Sequence, residues 1–198
     1  MKKLWCVIIV LFVIDQCLGA DGQKLNDPND PNELLRVTSD KVVAVLQNES
    51  LDKTVKKQML DEIISPFFDF ELMSKLSLGK THWTKLTESE QEKFTSLFTK
   101  LLKNTYLELL TRYKDEKLLI KPAQPQKNGV SIQMDVVSGD KKIAIVYKLR
   151  HLEKRWLAYD VEVEGVSILM TYKSQFDDIL KRGGVTDLFS QLEKQQVK

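Results

Sequence analysis

The chain has 198 residues, enough for one domain with a full core and too few for two comfortable ones. Thirty basic residues against 28 acidic give a formal net charge of +2. The charges are scattered along the chain, which excludes a strongly basic nucleic-acid face and gives a membrane surface little to attract. Two cysteines and two histidines leave too few soft ligands for a zinc or copper centre, so neither a metal nor another cofactor is expected.

Lys2 and Lys3 precede an unbroken apolar run from Leu4 to Ile14, and small residues follow at Gly19 and Ala20. This is the layout of a signal peptide over residues 1–20. The run is shorter than the roughly 17–25 residues that span a bilayer, so cleavage is expected rather than anchoring. Ile14, Asp15 and Gln16 ahead of Cys17 do not fit an acylation site. Cleavage after Ala20 leaves 28 basic and 27 acidic residues and removes both Cys6 and Cys17. The mature, exported chain then has no disulfide to lean on, and its stability comes from packing alone.

Residues 21–30, rich in Asp, Asn, Pro and Gly, read as a flexible leader to a domain over 31–198. Asp30, Pro31 and Glu33 predict a helix start with a capping box, and Leu35, Val42, Val45 and Leu46 give that helix an apolar face. A second helix is predicted over about 52–64, with Val55, Met59, Ile63 and Ile64 inward, broken at Ser65 by Pro66. Phe67, Phe68 and Phe70 surround Asp69, which caps a short helix through Leu72, Met73 and Leu76 that stops at Gly79. Thr87 and Glu90 form a capping box for the longest helix, whose apolar residues from Phe94, Phe98 and Leu101 to Tyr113 make a stripe so broad that it must be covered on more than one side.

After Lys114 the period changes to two. Leu118–Ile120 is a short strand; Val130, Ile132, Met134 and Val136 alternate with polar residues; then Ile143, Ile145, Tyr147 and Leu149; then Leu157, Tyr159, Val161 and Val163. Gly165 interrupts, and Val166, Leu169, Met170 and Phe176 mark a helix to Gly183-Gly184, with a last short helix from Thr186. The expected fold is α+β: a four-stranded, largely antiparallel curved sheet wrapped by about six to seven helices, in one domain, with a wedge between sheet and long helix.

Catalytic groups are scarce. Asp61-Glu62 and Asp177-Asp178 are neighbours that diverge by about 100° on a helix, so neither pair converges on a substrate. Asp160, on the strand face opposite the apolar one, is the serious candidate for a general base, against a structural role as acceptor from backbone N–H groups, Trp156 or a tyrosine. No phosphate loop or nucleophile elbow is present. No enzyme activity is expected; an enzyme using Asp160 and a ligand-free protein adaptor stand as alternatives.

The segment from Trp156 through Asp160 and Gly165 to Ser167 resembles the signature of the MlaC family of periplasmic phospholipid-binding proteins. Phe176 and Gly183 or Gly184 continue the pattern, and Leu78-Gly79, Trp83, Leu86-Thr87, Gln91, Phe94, Phe98 and Tyr106 match it upstream. Many members carry Arg at the position of Lys173, where a lysine offers a point charge instead of a fork. The resemblance implies a cone-like fold of nuclear-transport-factor-2-like shape, working as a monomer in the periplasm. It implies a diacyl phospholipid as ligand, and as partners an outer-membrane lipoprotein complex and an inner-membrane ABC transporter bearing MCE domains. The lining is expected from Leu72, Met73, Leu76, Phe94, Phe98, Leu101, Tyr147, Leu149, Tyr159, Val161, Val163, Val166, Leu169 and Met170, with the strand residues meeting Phe94, Phe98 and Leu101. Trp156, Asp160 and Gly165 are expected to be structural.

Overall fold

Helix starts are where the sequence and the backbone agree most closely. The computed structural model describes residues 29–111 and 116–196; the expected signal peptide, most of the leader and Tyr113 lie outside them. Asp30 caps α1 (Pro31–Gln47) by accepting from the Asn32 N–H. Glu33 does not close a capping box over it, because its carboxylate is held by the Arg36 guanidinium, 2.8 Å from Nε. Asp52 caps α2 (Lys53–Ile64), a 3₁₀ turn follows at Ser65–Phe67, and Asp69 caps α3 (Phe70–Trp83) through the Leu72 N–H. Thr87 and Glu90 form a complete capping box at the head of α4 (Glu88–Leu110).

On α2, Leu60 is the buried residue, while Val55 and Met59 are exposed, contrary to expectation. The helix packs on α1 and on Leu107 and Leu110 of α4 through Leu60, Ile63 and Ile64, a stripe turned by one residue from the one predicted.

The strands are β1 (Lys117–Ile120), β2 (Gln124–Gln126), β3 (Gly129–Ser138), β4 (Lys141–Leu152), β5 (Arg155–Val163) and β6 (Val166–Ser167), and α5 (Ile168–Gln195) follows directly. The sheet is antiparallel throughout, in the order β1-β3-β4-β5-β6 with β2 also on β3. Among the described residues it has six strands, not four: β2 and β6 are too short for alternation to reveal them. Among the described residues there are five α-helices rather than the six or seven expected: α5 runs on through Gly184, where a stop and a new helix from Thr186 were expected, and α3 continues past Gly79. Gly79 (φ 73°, ψ 156°) and Gly184 (φ 70°, ψ −164°) adopt conformations that side chains oppose, yet the chain re-enters the helix after each.

One irregularity decides which β5 residues face inward. Lys148 pairs with Asp160 but Leu149 pairs with Ala158, so Tyr159 is the extra residue of a β-bulge. Val163 and Val161 share a face with Ile145 and Tyr147, whereas beyond the bulge Ala158 and Trp156 take over that face and Leu157 turns to the opposite one, beside Arg150. The predicted run of Leu157, Tyr159, Val161 and Val163 along one face is therefore split in the middle.

Buried apolar residues gather in three clusters. One lies among α3, α4 and α5; one joins Leu35 of α1 and Phe67 to the sheet; one joins α1, α2 and the end of α4.

Candidate functional site

Register sets the inward sheet face in rows: Val130, Leu149 and Ala158; Ile132, Tyr147 and Val161; Met134, Ile145 and Val163; then Val136 and Ile143. At one end this face is sealed. Ile132, Leu149 and Ala158 have no exposed surface, and Leu35 and Phe67 press on them. The Tyr147 ring meets Phe67 edge-on with centroids 5.9 Å apart, and burial pushes its hydroxyl pKa up to about 12. Toward the other end the cover thins. Val163 is 37% exposed and Ile143 46%, and beside them Val166 and Met170 reach 61% and 63%. Ile143, Val163 and Val166, on adjoining strands and one face, thus stand open to solvent at one end of a largely covered apolar face, an arrangement that marks binding surfaces, and Met170 is exposed in the first turn of α5.

The helices flanking the open end can be placed from their contacts. Ser39 of α1 donates weakly to the Met134 sulfur at 3.9 Å, and α1 continues to Val45 and Leu46, which pack near Leu107 and Leu110 of α4. α5 begins where β6 ends, with Ile168 and Leu169 joining the helical cluster. The open sheet end thus has α1 near Met134 and the start of α5, which follows β6 directly, as its helical neighbours.

Phe94 and Phe98 do not line it. Both are fully buried in a closed aromatic stack, parallel to each other at 5.8 Å and edge-on to Phe176 at 5.5 Å, with Trp83 and Tyr172 around them. Their place in the helical cluster, while Tyr147 and Leu149 belong to the sheet cluster, corrects the expected meeting of strand residues with the first half of the long helix. Leu101, on the same cluster, is only partly buried.

Asp160 holds α5 to the sheet. Its carboxylate accepts from the Ser167 hydroxyl at 2.9 and 3.0 Å, from the Val161 N–H at 2.9 Å and from the Leu169 N–H at 3.3 Å; Lys148 Nζ stands 3.3 Å away. An acidic group at a helix start, saturated with donors, is a cap and anchor. Burial works against the Lys148 ammonium, but Glu162 and Asp160 outweigh it and hold its pKa above the ordinary lysine value. Trp156 does not reach Asp160; its Nε1 donates to the Asn29 carbonyl and ties the head of α1 to the sheet. Gly165 takes a left-handed turn between β5 and β6.

Leu72 and Leu76 face elsewhere. They line an open recess of about 620 Å³ with Lys75, Gly79, Lys80, Trp83, Thr84 and Gln91, while Met73 is buried in the helical cluster. Lys173 runs beneath it, its Cε 3.2 Å from where a Cβ on Gly79 would stand and its Nζ 2.5 Å from Asp177. Among the described residues no cluster of His, Cys, Asp and Glu could hold a metal, and no helix is long and apolar enough to cross a membrane.

Tyr106 and Tyr172, which the sequence does not single out as site residues, are half-buried against the helical cluster, Tyr172 edge-on to Phe98 at 5.1 Å. Spacing carried a signal: Tyr172 falls one turn after Ile168 and puts a polar tip on an apolar row.

The MlaC protein family model matches residues 36–194. The "Intermembrane phospholipid transport system binding protein MlaC" of Haemophilus influenzae is 26% identical over 175 residues, covering 83% of this chain and 81% of that one. The "Toluene tolerance protein ttg2D" of Pseudomonas putida is 24% identical over 127 residues, covering 63% of this chain and 59% of its own length. A phospholipid-binding protein from Ralstonia solanacearum, solved in complex with a phospholipid, superposes with a TM-score of 0.76 at 24% identity, over 85% of this chain and 97% of that one. With a single α+β domain of this topology and a family match across nearly all of it, the chain belongs to the MlaC family.

Proposed function

We propose that the protein is a non-enzymatic periplasmic carrier that takes the acyl chains of a phospholipid into the wedge and moves the lipid between the outer membrane and an inner-membrane ABC transporter. The observation that carries this reading is the inward sheet face, buried at one end and left open and apolar at the other. Each CH₂ of an acyl chain in water costs about 0.8 kcal/mol, so a carrier needs a continuous aliphatic lining with an entrance. In this reading Met134, Ile145, Val161, Val163 and Val166 supply the strand side, with Met170 and Leu101 as the helix side. The names of its relatives support phospholipid as the ligand. The MCE-bearing transporter and the outer-membrane lipoprotein complex are the partners the family resemblance implies. Asp160, engaged on every side by donors, favours the carrier over an enzyme using that carboxylate as base.

Lipid extraction from the purified protein followed by mass spectrometry, with uptake of a labelled diacyl phospholipid, tests the proposal. Co-purified phospholipid and saturable uptake are expected. A lipid-free protein that takes up no label would overturn it.

A further inference from the structure

The open recess on α3 and the first turn of α4 has no part in the carrier reading. Its floor comes from the break in α3. Gly79 takes a positive φ and carries no Cβ, so bare backbone is presented there, with the Lys173 methylenes packed beneath, Cε 3.2 Å from where a Cβ would stand. Half-buried Leu72 and exposed Leu76 add an aliphatic wall. Trp83 closes the far side, rooted in the helical cluster and edge-on to Phe94 at 6.4 Å.

The polar groups at this recess are not engaged by the protein itself. Lys75 and Lys80 make no ion pair or side-chain hydrogen bond among the described residues, and no acidic residue lines the recess. Asp177, behind it, is taken by Lys173 at 2.5 Å and His82 at 3.7 Å. Trp83 is only 8% exposed, yet its indole N–H makes no hydrogen bond among the described residues, where no buried side-chain nitrogen or oxygen lacks a partner. The N–H therefore reaches solvent, and it does so at the recess this residue lines. Gln91 donates to the Trp83 and Leu86 carbonyls at 3.0 and 3.3 Å, which fixes the head of α4 to the end of α3 and holds the recess in shape. Two unpaired cations and an N–H donor beside an apolar floor complement an anion carried on an apolar body.

Size decides what kind of partner fits. Eight residues from two helices line the recess, against the roughly 20–30 a side of a standard protein interface. Its volume of about 620 Å³ lies instead within the roughly 300–1,000 Å³ of small-ligand sites. We infer that the recess binds a single-chain anionic amphiphile, with the chain on Leu72, Leu76 and Gly79 and the head group held by Lys75, Lys80 and the Trp83 N–H. A fatty-acid carboxylate and a lysolipid phosphate share this chemistry. The inference does not rest on the carrier reading, because these residues belong to the helices and not to the inward sheet face.

The test is calorimetric titration of the native protein and K75S/K80S with decanoate, decyl phosphate and decanol, each below its micellar concentration, with and without a saturating diacyl phospholipid. At least one of the two anions should bind the native protein about ten-fold more tightly than decanol, the weight of one hydrogen bond to a charged group, and the tighter anion names the head group. K75S/K80S should lose this preference and keep its decanol affinity; both lysines are exposed, so the variant should fold. Saturation with phospholipid should leave anion binding in place. A native protein that binds the anions no better than decanol, a K75S/K80S that keeps the preference, or displacement of the anion by phospholipid would overturn the inference.

Discussion

The two ends of the inward sheet face are built from the same kinds of residue and treated in opposite ways. At one end Leu149 and Ala158 sit under Leu35 and Phe67 with no exposed surface; at the other Ile145 and Val163 continue the same strands to where Val163 is open to solvent. Apolar side chains on a strand do not by themselves state whether they will be core or lining. Cover decides, and here cover comes from α1 and the 3₁₀ turn, which reach only part of the face.

The comparison can be broken most sharply by placing a carboxylate at each end. Leu149→Asp is expected to abolish folding, because an unpaired buried carboxylate costs several kcal/mol against a total stability of about 5–15 kcal/mol. Circular dichroism of a folded Leu149→Asp would show that the closed end is not closed. Asp160→Asn should come next, with about 1–3 kcal/mol lost in denaturant unfolding as the α5 anchor weakens, and lipid content kept. If it left stability untouched but ended turnover of some substrate, Asp160 would be a catalytic base.

Val163→Asp sharpens the contrast from the open end. Its carboxylate can reach water, so folding should change by about 1 kcal/mol or less while co-purified lipid drops. An unfolded Val163→Asp would place this residue in a sealed core. The smallest effect concerns the contact between α2 and α4, where hydrogen bonds from Lys53 and Lys57 hold the Glu108 carboxyl down to about 2. A depressed carboxyl stabilises the fold above its ordinary value near 4.5, and that contribution fades as pH falls toward 2. Glu108→Gln should therefore melt slightly below the native protein at pH 7 and converge with it near pH 2, measured by calorimetry at low salt. A gap that persists at pH 2 would assign the effect to packing.

How much of this was legible in the sequence follows from the range of each interaction. Caps are local, so Asp30, Asp69 and the Thr87–Glu90 box could be read directly. The anchor role of Asp160 was readable as one of two options, because Ser167 and the following helix start are close in sequence. The bulge at Tyr159 was not. Apolar residues at 157, 159, 161 and 163 keep perfect alternation through it, and only pairing with β4 reveals the extra residue. Phe94 and Phe98 share their helical period with any lining residue. It took the position of Phe176, about eighty residues away, to show that they are sealed. The absence of the capping-box bond from Glu33 likewise depended on a competitor, Arg36, one turn along.

The sheet's borders have a consequence for association between molecules. Beyond β5, the Phe68–Asp69 backbone lies alongside in a parallel bridge to Ala158, with the Asp69 N–H donating to the Ala158 carbonyl at 2.8 Å, and β6 covers the strand's far end. On the opposite side the border is divided between two short strands, with Pro122 between them, Pro125 inside the second, and Lys117 and Lys121 bracketing the first. Prolines and lysines on an edge deny a neighbour the continuous ladder of N–H donors that edge-to-edge pairing requires. A protein with Ile143, Val163 and Val166 exposed on one sheet face carries a standing risk of sticking to its own copies. By closing both borders against β-pairing, this chain confines that risk to the exposed apolar end of the face, where side-chain contact alone gives a weaker and more reversible encounter than a shared sheet.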